Sequence, residues 1–251
     1  MAQKRAPIVE AMRKLVVPVA KKVLYETVRP NALTRPVYAA AFDAHWYTRE
    51  MWEWAYRSLV ATPGFLAKCA RFGERVSIDR LPYLNGPVHI ELGDDVRFSG
   101  TVAISGNTRT RGRLRIGNGV FLAHGTHIAV AKSVEIGNYV SVGSLTYIAD
   151  TEGHANYNPQ RPIWEVPASD DDIAPVVIED GVQISKHCMI LKGVRIGARS
   201  IIGAGSVVRS NIPPDSIVMG NPARVVRRIT ADADGAGEGA NGANGVKAVA
   251  S

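Results

Sequence analysis

Six histidines, two cysteines and a few acidic clusters carry most of the reactive side chains in this sequence. His154 stands in the stretch ADTEGHANYNP, with Asp150 and Glu152 close before it. An imidazole titrates near neutrality, so it can take a proton from a reacting group and later return it. Asp150 or Glu152 could hold the ring in one tautomer, although charges on an exposed loop are more commonly just solvated. His124 and His127 are a second pair, spaced three apart. His45 sits in an aromatic stretch and reads as a packing or surface residue, His89 lies ahead of the repetitive part and reads as structural, and His187 is left open between a site and a surface role. Cys69 and Cys188 are too few and too far apart for a disulfide framework or a zinc site, which suits a reducing cytoplasm. Cys188 reads as a core residue, not a nucleophile.

The element that must position these groups has a period of six. Leu92, Phe98, Ile104, Thr110, Ile116, Leu122 and Ile128 follow at steps of six. A shift of two residues leads to Ile136, Val142 and Ile148, and after an interruption the frame resumes at Ile178, Ile184, Ile190, Ile196, Ile202 and Val208. Thr110 is the one polar anchor. The next position is mostly small, as in Gly93, Gly117, Gly137, Gly143, Gly197 and Gly203, and four residues after each anchor comes a compact residue such as Val96, Val120, Cys188 or Ser206. A period of 3.6 cannot produce this, and simple alternation does not place the glycines. The pattern predicts short strands separated by sharp bends, wound into a solenoid whose strands pair with the coils above and below. Between Ile148 and Ile178 only one further hexad is needed, so about 24 residues, rich in proline and including Asp170, Asp171 and Asp172, form a loop thrown out at a corner.

The stretches IGNGVFLAHGTHI, IGNYVSVGSLTYIADTEGH and ILKGVRIGARSIIGAGSVVRSNIPPDSIVMGNPARVVRRI resemble the hexapeptide-repeat acyltransferases. The resemblance implies a mainly β chain, a left-handed parallel β-helix with an N-terminal α-helical extension, in coils of roughly 18 residues about 4.8 Å apart. It also implies homotrimers with active sites in the clefts between subunits. The Asp-x-acid-Gly-His element of that family makes His154 the catalytic base, acting on a saccharide or glycolipid hydroxyl beside acetyl-CoA or another acyl-CoA as co-substrate, with no metal. By the same resemblance Lys186 and Ala204 would line the pantetheine arm, and Arg224, with Arg227 or Arg228 beyond, would meet the 3′-phosphate. His124 and His127 occupy the region of an acceptor-binding residue. The family's Thr-Lys pair reads Arg209-Ser210 here, and its Trp-Ile-Gly reads Gln183-Ile184-Ser185, which puts acetyl specificity in doubt. A zinc-dependent lyase shares this fold but spaces two of its histidines by four residues, unlike His124 and His127. A non-catalytic binding or assembly protein is the remaining alternative.

Charge and composition bound the rest. Residues 1–75 hold 13 of the 30 basic residues and 6 of the 23 acidic ones, so the whole net charge of +7 lies there and no nucleic-acid surface is expected on the main body. Ile8, Met12, Leu15, Val16, Val19 and Val23 share one helical face among lysines and arginines, as a peripheral membrane helix would or a helix packed on the main body, with Pro18 interrupting. A second helix, from about Pro36 to Leu59, is rich in large rings, and such a cluster usually marks packing against another helix or the body. No uncharged apolar run is long enough to span a bilayer, and no secretory signal is recognisable. The expected organisation is a helical extension over 1–75, the β-helix over 76–229 with its loop at 149–177, and a flexible Gly/Ala-rich tail over 230–251.

Overall fold

The computed structural model describes residues 30–107, 111–152, 160 and 170–229. The basic stretch at 8–23, His154 and the Gly/Ala-rich tail lie outside them. The chain divides into two compact units, 1–52 and 53–251.

Within the described residues the chain enters a helix over Arg35–Tyr56, which passes through a wider π-turn at Arg57–Ala61 into a last α-helical stretch, Thr62–Leu66. Asn31 starts it, its side-chain oxygen accepting the backbone N–H groups of Leu33 and Thr34 at 3.0 and 2.9 Å. The aromatic stretch was expected to pack, yet no residue of Arg35–Tyr56 is buried, and Phe42, Tyr47, Trp52 and Trp54 are each more than 60% exposed.

The rest is a parallel solenoid with three walls. The first wall stacks Ser77–Ile78, Arg97–Phe98, Phe121–Leu122, Ser141–Val142, Gln183–Ile184, Ile201–Ile202 and Ser216–Gly220, and ends in an antiparallel strand, Ala223–Arg228. The second stacks Tyr83–Asn85, Ala103–Gly106, His127–Val130, Tyr147–Ala149, Met189–Ile190 and Val207–Val208. The third stacks Val88–Leu92, Gly112–Ile116, Ser133–Ile136, Val176–Ile178 and Arg195–Ile196. Each strand is only two to six residues long, so the ladder between coils, not the strand itself, supplies its hydrogen bonds.

All the aliphatic and Phe anchors of the six-residue frame are buried, and the compact residues four positions later point into the same core. Anchors align with their equivalents in neighbouring coils, as in the column Leu122, Val142, Ile184, Ile202. Burying a side chain of this size contributes about 1.5–3 kcal/mol, so the repeated column is the main stabilising term. Two ends need covering. Phe65 packs its ring against Phe98 at 5.5 Å over the first coil, and the antiparallel strand Ala223–Arg228 covers the last edge of the first wall.

The coils are less uniform than 18 residues. Ile184 pairs with Ile202 at that spacing, but Phe98 pairs with Leu122 and Leu122 with Val142, steps of 24 and 20. The longer step falls between Ala103–Gly106 and Gly112–Ile116, and Thr110 lies outside the described residues. The solenoid also starts a coil earlier than Leu92, since Ile78 pairs with Phe98 and Leu84 with Ile104. Two extra residues around Gly86, which has φ +80°, separate that coil from the readable frame.

Candidate active site on the second wall and its two edges

The large loop leaves the edge between the second and third walls, and its base is tightly built. Asp150 ends the strand Tyr147–Ala149 and is fully buried. Its Oδ1 accepts the backbone N–H of Ala131, and its Oδ2 those of Lys132 and Ser133, each at 2.6 Å. A buried carboxylate is tolerable only with such donors, and here the turn of the preceding coil supplies them. The picture of Asp150 as a solvated charge on an exposed loop is therefore corrected. Beyond it, Thr151 bridges Ile173 in antiparallel fashion, the N–H of Glu152 meets the carbonyl of Asp172 at 3.3 Å, and Ala174 N–H donates to the Asp150 carbonyl at 2.9 Å. The two stems of the loop are thus joined at its root, and the column resumes at Val176–Ile178 as the frame required. Glu152 is exposed and pairs with Lys192 of the following coil at 3.3 Å.

The opposite edge, between the first and second walls, is a stack of four turns. Leu145 N–H donates to the His124 carbonyl, His187 N–H to the Ser144 carbonyl, and Gly205 N–H to the Lys186 carbonyl, at 2.9, 2.9 and 3.1 Å. Gly125, Leu145, His187 and Gly205 repeat the positive φ that the turn demands. Leu145 and His187 carry side chains there at a steric cost that the stack must offset. Lys186 and Ala204 therefore lie in consecutive turns of one edge, both exposed. The stack is close: a Cβ on Gly143 would sit 2.6 Å from the backbone nitrogen of Lys186. His124 is exposed, and its Nδ1 accepts the N–H of Thr101 at 3.2 Å.

Between the two edges, on the outer face of the second wall, His127 stands half-buried. Its Nε2 lies 2.8 Å from Ser105 Oγ, and its ring meets Tyr147 edge-on at 5.2 Å. Burial pushes the imidazole below its ordinary value, because the charged form is poorly solvated there. Tyr147 is raised, by burial first and by the negative charge of Asp150 second. Arg209 and Ser210 follow the last strand of the second wall and are exposed, on the same edge as the loop base. Arg224 and Arg227 lie on the closing strand, exposed, with Arg224 Nη1 donating to the Ala223 carbonyl at 3.0 Å.

The residues singled out in sequence are thus distributed over three places. Asp150, Glu152, Arg209 and Ser210 mark one edge of the second wall, and His124, Lys186 and Ala204 the other. His127 lies between them, while Arg224 and Arg227 are further along the column. Cys188 is buried, its Sγ 3.3 Å from the Gly203 carbonyl, with its thiol pKa raised by burial; burial pushes that of Cys69 to about 11. Among the described residues, no group of three His, Cys, Asp or Glu side chains gathers to hold a metal ion. Sequence reasoning passed over Ser105, Tyr147 and Lys192. A signal for the last was present, since Lys132 and Lys192 both stand four residues before an anchor of the third wall.

The family model described as bacterial transferase hexapeptide (six repeats) matches residues 175–210, the coils that follow the loop. The chain carries the hexapeptide repeat. Over 58 residues it is 48% identical to a protein of Staphylococcus aureus (strain COL) named as a "putative acetyltransferase", covering 23% of this chain and 29% of that one. It is 42% identical over 55 residues to the 2,3,4,5-tetrahydropyridine-2,6-dicarboxylate N-acetyltransferase of S. aureus (strain JH9), covering 22% and 23%. The matches span less than a third of either relative's length. Two point variants of AntD, an N-acyltransferase from Bacillus cereus, each crystallised with dTDP-4-amino-4,6-dideoxyglucose and coenzyme A, superpose on this chain. One gives a TM-score of 0.55 at 20% identity, over 66% of this chain and 88% of that one. The other gives 0.51 at 21%, over 64% and 83%. At such identity the likeness concerns the fold alone.

Proposed function

We propose that this protein is an acyl-CoA-dependent acyltransferase that moves an acyl group, acetyl in the first instance, to a hydroxyl of a saccharide or glycolipid. The observation that carries the reading is the coincidence of the matched hexapeptide segment with the stacked turns bearing Lys186 and Ala204, one coil below the root of the loop that carries His154. On this reading His154 takes the proton of the acceptor hydroxyl as its oxygen attacks the thioester carbonyl. A backbone N–H at a glycine-lined turn receives the developing oxyanion. The tetrahedral intermediate then collapses, the C–S bond breaks, and the imidazolium returns the proton to the departing thiolate.

Asp150 acts here through the loop root, and Glu152 is the carboxylate left to steady the imidazole. His124 and His127 face the acceptor. Lys186 and Ala204 line the pantetheine arm with backbone groups, while Arg209, Ser210, Arg224 and Arg227 supply donors for the phosphates. The catalytic unit is residues 76–229, working as a cytoplasmic homotrimer. The extension over 1–75 brings it to an anionic membrane surface where a lipid-linked acceptor would reside, and the tail over 230–251 takes no part. Because the AntD complexes hold an amino sugar nucleotide, nitrogen acceptors belong beside the hydroxyl ones in any panel.

Thiol release from acetyl-CoA and longer acyl-CoAs, with sugars, amino sugars and sugar nucleotides as acceptors, tests the reading. Acceptor-dependent release is expected. A protein that yields no thiol with any of them, yet binds partners through its column, would instead be the non-catalytic assembly module that the altered Gln183-Ile184-Ser185 and Arg209-Ser210 elements favour.

A further inference from the structure

We infer that Lys192 is a positioning residue for the reaction, a strap that fixes the root of the loop from the coil below; the inference rests on the acyltransferase reading. Its ammonium group meets the loop at three points on two stems. It lies 3.3 Å from Glu152 Oε1 on the outgoing stem, and 3.1 Å from the Asp171 carbonyl and 3.8 Å from Asp172 Oδ1 on the returning one. The side chain is 23% exposed and Asp172 is 6% exposed, so the second pair is largely shielded from water. The two stems also meet through backbone, in the Thr151–Ile173 bridge and the 3.3 Å bond from Glu152 to Asp172. A long insert can leave a corner in many directions, and its two ends must be fixed before any residue beyond them can be aimed.

The charge on Lys192 does this from outside the loop. Asp150 anchors the outgoing stem to the coil above, through the Ala131–Ser133 turn. Lys192 draws the next acidic residue, Glu152, towards the coil below. The stem is pinned from both sides, two residues before His154. Lys192 touches no reacting atom on this account. Its effect is on how often the base is correctly placed, which belongs to kcat and not to coenzyme binding.

The test compares the full-length wild type with Lys192→Met, which keeps the aliphatic stem, and Lys192→Arg, which restores the cation. Three readings are taken: steady-state thiol release, melting temperature, and the rate of chymotryptic cleavage after Tyr157 or Trp164. Lys192→Met is expected to lower kcat by about ten- to a hundred-fold with KM for acyl-CoA unchanged, and to cut faster in the loop. Lys192→Arg is expected to recover most of both. Wild-type kcat and wild-type cleavage in Lys192→Met would overturn the inference, as would a loss of kcat that follows a fall in melting temperature and is not rescued by arginine. If the wild type itself releases no thiol, the acyltransferase reading fails, and the cleavage rates alone decide whether Lys192 straps the loop.

Discussion

Removing the Asp150 carboxylate should loosen the column exactly one turn above the loop. In Asp150→Ala the N–H groups of Ala131, Lys132 and Ser133 lose an ionised acceptor that is itself wholly buried. A hydrogen bond to a charged group contributes about 1.5–3 kcal/mol, and an abandoned buried donor costs a comparable amount. The three are not additive, because Lys132 is exposed and Ser133 half-buried, so water can reach those two amides. Ala131 is 1% exposed, so water reaches it least. The net loss is then about 3–5 kcal/mol, equivalent to roughly 10 °C in melting temperature for a chain of this size. Thermal unfolding measures the total, and hydrogen exchange locates it, with the Ala131, Lys132 and Ser133 amides exchanging faster than in the wild type. A variant that melts within about 2 °C of the wild type with those amides still protected would refute the reasoning, since the carboxylate would then be holding nothing.

His154→Ala should keep the wild-type melting temperature and lose about a hundred- to ten-thousand-fold in acceptor-dependent thiol release, read by a continuous thiol assay. Gly143→Ala should destabilise by about 1–3 kcal/mol in denaturant unfolding, because its Cβ meets the backbone of Ser185 and Lys186 and neither can move without breaking the stack. The His127 ring should titrate below the ordinary histidine value of about 6.5 in a proton NMR titration, and Tyr147→Ala should bring it back up by opening the ring to water. With its folded value depressed, the unfolded state binds the extra proton first, so stability falls as pH drops from that ordinary value towards the folded one. His127→Gln should flatten that part of the stability profile.

The column was legible because its cause is local. Each anchor meets the residue one coil away at the same frame position, so a run of Ile and Val at steps of six already encodes the core from Ile116 to Val208. Irregular steps were not. The extra residues at Gly86 hid the first coil, and the step from Phe98 to Leu122 takes 24 residues where 18 were expected. The family resemblance, with its coil of 18 residues, placed Lys186 and Ala204 one coil apart, and they stand in adjacent turns. The loop root did not, because the partners of Asp150 are backbone amides about one coil back and those of Glu152 a side chain one coil on. Nothing in the residue types marks Asp150 as buried. The helix Arg35–Tyr56 was legible as a helix, and its rings are largely exposed.

The most direct test of the central claim is a crystal structure of the protein with an acyl-CoA and an acceptor analogue bound. The account requires the pantetheine arm along the turns of Lys186 and Ala204, the thioester beside the second wall, and the His154 imidazole within hydrogen-bonding reach of the acceptor hydroxyl. A coenzyme bound elsewhere on the column, with the thioester remote from that imidazole, would contradict it.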